Sequence, residues 1–143
     1  MQTTELDPQN IAAAAAAIPE NTPFVMLNLL RYKEQADYGG RPEFGPRSGR
    51  EAYFQGYVPA FGAVAARSED TKSIQPVFVG AVLARLVGLA DEPWDDVALV
   101  EYPSFAAFRS VVESPEYQRD AAPHRRAALE DWRLIAMLKQ PAG

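Results

Sequence analysis

The chain contains no cysteine and only one histidine, His124. Without thiolates there are neither disulfide staples nor zinc–thiolate sites, and a single imidazole does not assemble an ordinary zinc or copper centre. The lack of cysteine also fits a reducing cytoplasm, the location expected here. No Lys or Arg precedes Arg31, whereas a secretory signal opens with positive charge ahead of its apolar region. Long apolar runs are missing as well. The longest early one, Ile11 to Ile18, is far too short to span a bilayer, so no membrane partner is expected. Positive charge is in deficit, 14 Lys and Arg against 19 Asp and Glu, a net charge of −5. Such a surface repels a phosphate backbone, and nucleic acid is not expected as a partner. No phosphate-cradling Gly-x-x-x-x-Gly-Lys, dinucleotide Gly-x-Gly-x-x-Gly or Gly-x-Ser-x-Gly elbow occurs. The acidic group Asp91, Glu92, Asp95 and Asp96 lacks calcium-loop spacing and reads as a solvated hairpin. Neither metal nor cofactor is expected.

What is present is ordinary globular composition, 48% apolar and 23% charged over 143 residues, enough for one domain over 1–143 with its own core. Asp7 as N-cap and Pro8 at the first helical position open a helix over 7–18, carried by Ala12 to Ala17 and ended by Pro19. Phe24 to Tyr32 is a compact apolar run, expected as a first strand buried on both faces. Lys33 to Arg47, rich in Gly and Pro, reads as a long loop and a candidate lid or dimer arm. Ser48 and Glu51 form a capping box. It opens a helix whose buried stripe is Ala52, Tyr53, Gly56, Tyr57, Ala60, Phe61 and Val64, with a kink expected near Gln55 and Gly56 because of Pro59.

After a polar loop, Arg67 to Pro76, the apolar stretch Val77 to Leu89 reads as a long bulged strand. Ala90 to Trp94 turns a hairpin into a third strand, Val97 to Tyr102. Ser104 caps a helix that points Phe105, Phe108, Val111 and Val112 inward, stopped by Ser114-Pro115. A helical piece over Pro123 to Glu130 leads into a fourth strand, Trp132 to Leu138, and Lys139 to Gly143 is expected to fray. The order over 24–138 is βαββαβ, an α+β, ferredoxin-like antiparallel sheet with both helices on one face and strands one and three central. The bare face needs cover, and a second copy of the chain is the economical source.

Three stretches carry a resemblance: Met26-Leu-Asn-Leu-Leu-Arg-Tyr-Lys33; Val97-Ala-Leu-Val-Glu-Tyr-Pro-Ser104 with Phe105 and Phe108; and Ser114-Pro-Glu-Tyr-Gln118 leading to His124-Arg-Arg-Ala-Ala128. Over roughly Phe24 to Leu138 the chain resembles the domain of unknown function 1330 family, within the dimeric α/β-barrel superfamily. The resemblance implies a ferredoxin-like subunit whose sheet packs on a partner's sheet. It implies kinship with cofactor-free monooxygenases, lactone isomerases, dehydratases, haem-using enzymes and ligand-sensing domains, but no one activity. The N-terminal helix and the Lys33–Arg47 loop depart from shorter members.

Asn28 interrupts an apolar strand, as a satisfied core amide or an oriented donor in a cavity. Glu101 ends the third strand; facing the same cavity it would be suited to proton transfer, otherwise it is solvated or paired with Arg31 or Arg85. His124 is the one side chain titrating near neutrality by nature, on a helix face beside Arg125 and Arg126. These three are the catalytic candidates. The ligand-binding candidates are Arg31, the i,i+4 pair Tyr53 and Tyr57, Arg125 as an anion anchor, and Trp132 as an aromatic wall. In the plainer reading the arginine pair meets Glu130 and Asp131. Three functions stay open: a cofactor-independent enzyme on a small organic acid or ketone, a small-molecule binding or sensing domain, and a structural dimer.

Overall fold

The computed structural model describes residues 2–141. Helix α1, Pro8–Ala17, starts where Asp7 accepts from the Gln9 amide and stops at extended Ile18. Strand β1 spans Phe24–Tyr32, as its apolar run predicts. The Ser48–Glu51 capping box closes both ways: the Glu51 amide donates to Ser48 Oγ at 3.0 Å, and the Ser48 amide donates to Glu51 Oε1 at 2.8 Å. It opens a continuous helical run made of α2 (Gly49–Glu51), a π-helical stretch Ala52–Tyr57, and α3 (Val58–Ala65). The disturbance expected from Pro59 is present as this widened turn: Pro59 supplies no N–H and its ring crowds the carbonyl four residues back, and the Val58 amide reaches Tyr53 O instead. The same pairing recurs at Tyr117–Ala121, a π-helical stretch two residues before Pro123.

Strand β2 is Gln75–Ala81, β3 Asp96–Tyr102, α4 Phe105–Val112, α5 Ala122–Ala128 and β4 Leu129–Met137. The long strand read over Val77 to Leu89 is therefore corrected. It starts two residues earlier, is bulged between Pro76 and Phe78, and ends at Ala81 opposite Asp96. Residues 82–95 form an irregular connection in place of a tight turn at Ala90 to Trp94. Beyond Ala81 one more bond forms, the Val82 amide to Asp95 O at 2.9 Å, and the ladder then stops: the Asp95 amide is spent on Leu30 O, and Pro93 offers no donor. The helix read over Pro123 to Glu130 ends at Ala128, and β4 begins directly with Leu129. Lys139 to Pro141 carry no regular structure, and the rest of the tail expected to fray, Ala142 and Gly143, lies outside the described residues.

The sheet is four-stranded and antiparallel throughout, in the order β2-β3-β1-β4. Register decides which side chains share a face. Asn28 sits opposite Ala98 and Leu134, so Phe24, Met26, Asn28 and Leu30 share one face with Ala98, Val100, Tyr102, Trp132 and Leu134. The helices cover this face and the core lies between. Phe24 stacks on Tyr102 at 5.4 Å, and Phe105 on Phe108 at 5.4 Å. The opposite face presents Val25, Leu27, Leu29, Val97, Leu99, Ile135 and Met137, only partly buried or exposed. Burial of β1 on both faces thus holds on the helix side alone within the chain. At the end of the sheet, buried Asp96 receives two bonds from Arg50, at 2.7 and 2.9 Å, and one from the Tyr32 hydroxyl at 2.7 Å, tying β1, β3 and α2 together.

Candidate functional site

Between the helical run over 49–65 and the sheet lies a cleft of about 260 Å³. Its floor is Asn28, Leu30, Ala98, Val100 and Tyr102 from β1 and β3. Its roof is Tyr53, Phe54, Tyr57 and Phe61, and Lys72 and Gln75 stand on its wall. The π turn sets the roof, because a wider turn shifts the azimuth of each side chain that follows. With it Tyr53 and Tyr57 lie 5.1 Å apart, centroid to centroid, both buried against the sheet.

Behind the floor runs a polar chain. The Trp132 indole donates to Asn28 Oδ1 at 3.1 Å, while Asn28 Nδ2 points its weaker bonds at Met26 O and Ala98 O, both 3.4 Å. Arg125, fully buried, lies 5.3 Å from the Trp132 ring and donates to the Tyr117 hydroxyl at 2.7 Å. That hydroxyl is 2.9 Å from the Tyr57 hydroxyl. Five residues thus form one connected set from floor to roof: Asn28, Trp132, Arg125, Tyr117 and Tyr57.

Two phenols are not part of it. Tyr53 and Tyr102 are more than nine-tenths buried as residues and line the cleft, and their hydroxyls make no hydrogen bond among the described residues. Burial pushes both hydroxyls up, with neighbouring tyrosines adding to the effect, and burial likewise raises that of Tyr57. At neutral pH these groups are O–H donors. Neither hydroxyl is sealed in the core, since Arg125 Nε is the one buried side-chain polar atom without a partner among the described residues; both open on space large enough for a ligand, where an acceptor can meet them. Among the residues lining the cleft there is no carboxylate and no imidazole, and Lys72 is the one cationic side chain.

The structure brings together Asn28, Tyr53, Tyr57, Trp132 and Arg125 from the sequence candidates and separates the other three. Glu101 pairs with Val25, three residues from Ala98 and so on the opposite face; it and Asn28 do not converge. Arg31 lies on that same open face, opposite Asp131. His124 lies beneath the Lys33–Arg47 loop, its Nδ1 2.7 Å from the Tyr38 hydroxyl and its ring 4.9 Å from Phe44. It lines no part of the cleft and offers no axial imidazole to a haem there. The arginine pair meets Glu5 rather than Glu130 or Asp131. Tyr102, Tyr117 and Phe54 were missed as site residues. Period-two alternation with Ala98 and Val100 was a signal for Tyr102; the facing of Phe54 and Tyr117 depends on the π turns, which no spacing rule supplies.

No protein-family model matches the chain, and no curated protein does. It is similar to two solved structures over nearly its whole length. A crystal structure of methylated RPA0582 protein shares 34% identity, covering 99% of this chain and 98% of that chain, with a TM-score of 0.82. A second, of RPA0582 from Rhodopseudomonas palustris, described as a protein of unknown function, shares 33% identity over 99% of this chain and 100% of that one, with a TM-score of 0.81.

Proposed function

Because the chain belongs to the family of RPA0582, whose function is unknown, we propose a function from the cleft itself: it binds a small, flat molecule bearing a carbonyl or quinone oxygen. The observation that carries this reading is the pair of unpartnered phenols, Tyr53 and Tyr102, on an aromatic-walled cleft of about 260 Å³. Aromatic walls favour a planar body, and neutral donors favour a neutral acceptor oxygen; Lys72, the one cation on the wall, is already paired with Glu69 at 2.7 Å. The separation of Glu101 and His124 from Asn28 tips the balance from the cofactor-independent enzyme toward binding, since the cleft wall supplies no general base of the usual kind.

Titration calorimetry with 1-tetralone, and with tetralin as the carbonyl-free control, tests it. The ketone is expected to bind more tightly than the hydrocarbon. Tyr53→Phe and Tyr102→Phe each weaken the ketone roughly 2–10-fold, the worth of one neutral hydrogen bond, and leave tetralin alone. Equal binding of ketone and hydrocarbon by the wild type sinks the reading. Consumption of the bound ketone would favour the enzyme on a small ketone or acid instead.

The strand order and the helices on one face support a ferredoxin-like subunit. The apolar open face supports a homodimer of the dimeric α/β-barrel kind, as the resemblance to the domain of unknown function 1330 family implies. The lack of cysteine fits a cytoplasmic protein, and the acidic net charge supports a protein with no nucleic-acid partner. No helix among the described residues is long and apolar enough to cross a membrane.

A further inference from the structure

A second cavity, of about 250 Å³, lies on the other side of the Trp132–Asn28 contact, beneath the N-terminal segment. Its apolar lining includes Met26, Phe105, Phe108, Trp132 and Ile11; Glu5, Asp7 and Arg133 are the charged residues on its wall, and Arg125 and Arg126 stand behind Glu5 rather than on the wall itself. Glu5 is also the one anion that Arg125 meets among the described residues, Nη2 to Oε2 at 3.1 Å. The other oxygen of the same carboxylate takes Nε of Arg126, also at 3.1 Å. The two partners are very unlike in burial: the Arg125 side chain is 2% exposed and that of Glu5 55%. A cation removed from water this completely needs an anion and a full set of acceptors. Here the anion is lent by residue 5, 120 positions away, from a stretch without helix or strand.

The fit is also incomplete. Arg125 Nε is buried without an acceptor. A carboxylate meeting a guanidinium in the parallel two-point manner uses Nε and Nη2 together. Glu5, tethered through its backbone and shared with Arg126, reaches only Nη2.

We infer that Arg125 and Arg126 form a carboxylate seat, filled in the free protein by Glu5. A small apolar carboxylic acid takes it in turn, with its carboxylate on the two guanidinium groups and its hydrocarbon body in the second cavity. The donor set suits a carboxylate, with one arginine for each oxygen and an apolar wall directly beside it. Glu5 then acts as a tethered competitor. A group on a short chain presents an effective concentration on the order of millimolar, and a ligand that must wait for the seat to empty binds with an apparent affinity reduced by the fraction of time the seat is free. This site is separate from the ketone cleft and stands without it.

Hexanoate and its uncharged analogue hexanamide test the inference by calorimetry on the full chain, wild type and Glu5→Gln. The expected result is hexanoate binding at least about threefold tighter to Glu5→Gln than to wild type, the gain being one plus the ratio of Glu5's effective concentration to its own dissociation constant for the seat, with no such gain for hexanamide. Equal hexanoate affinity in the two proteins, or an equal gain for the amide, overturns it. Should Glu5→Gln fail to fold, hydrogen exchange on the wild type decides. Saturating hexanoate displaces Glu5 and speeds exchange of the Thr3 amide, which is bonded to Asp131 Oδ1 at 2.8 Å; unchanged exchange overturns the inference.

Discussion

Tyr38 holds its hydroxyl 2.7 Å from Nδ1 of His124, while Phe44 packs edge-on against the same ring and Arg41 and Arg47 lie over Phe44 and Tyr38. Burial lowers the His124 pKa, and the charges of Arg47 and then Arg41 lower it further. The neutral ring, sharing one hydrogen bond between Nδ1 and the Tyr38 hydroxyl, is the form the fold prefers. Since the folded pKa lies below the unfolded value, the unfolded chain takes up the proton first as pH falls. Stability is therefore undiminished above about 6.5, the ordinary histidine value, and declines as pH drops through that point toward the folded pKa. Thermal midpoints measured from pH 7.5 to 5 should fall in the wild type and change less in His124→Gln. Parallel profiles would mean that carboxylates elsewhere set the decline. Tyr32 behaves differently: burial and then its bond to Asp96 push its hydroxyl far up, and it stays a donor at every working pH.

At the scale of elements, the two π-helical stretches determine where the tyrosines stand. Ala52–Tyr57 carries Tyr53 and Tyr57, and Tyr117–Ala121 carries Tyr117. Each precedes a proline, so one chemical cause, a missing donor with a bulky ring, recurs in both halves of the chain. The Lys33–Arg47 loop is docked rather than free. The Lys33 amide donates to Ala128 O at 2.8 Å, the Gly49 amide to Lys33 O at 3.1 Å and the Asp37 amide to Ala127 O at 3.0 Å, all at the α5–β4 junction. This close approach explains Gly49: a Cβ there would stand 2.6 Å from Ala128 O and collide with Lys33 O, both backbone atoms. Gly49→Ala is therefore expected to destabilise by about 1–3 kcal/mol, the usual cost of forced overpacking, as read from urea midpoints. At Gly62 a Cβ meets nothing within 4 Å, and Gly62→Ala serves as the tolerated control.

For the whole molecule, the open sheet face is the feature without a partner inside the chain. Val25, Leu27, Leu29, Val97 and Leu99 run along its centre, and Leu83, Leu86 and Val87 in the connection after β2 are each more than nine-tenths exposed. Apolar surface left open in this way is the kind that interaction sites use, and a stable pair removes roughly 800 Å² from each partner. Light scattering at micromolar concentration is expected to give the mass of a dimer. Leu27→Asp, a charge in the middle of that face, should give a monomer that keeps its circular dichroism. A wild-type monomer would leave the face without its proposed partner.

The sequence by itself determined every element that depends on local chemistry: the Asp7–Pro8 start of α1, the Ser48–Glu51 box, the nine residues of β1, and the alternating order of strands and helices. It also put Asn28, Tyr53, Tyr57, Arg125 and Trp132 among the candidates, because polar or aromatic residues in apolar elements stand out against their neighbours. It misread what depends on a distant partner. The end of β2 is set by where Asp96 stops the ladder, a fact of pairing rather than of the Val77–Leu89 composition. The separation of Glu101 from Asn28 is a matter of register, in which a shift of three residues reverses the face. The union of Arg125 with Glu5 spans 120 residues and leaves no periodic trace. Helix caps and hydrophobic spacing act within a few residues and can be read in line; register, burial and ion pairing across the fold arise only when the chain closes on itself.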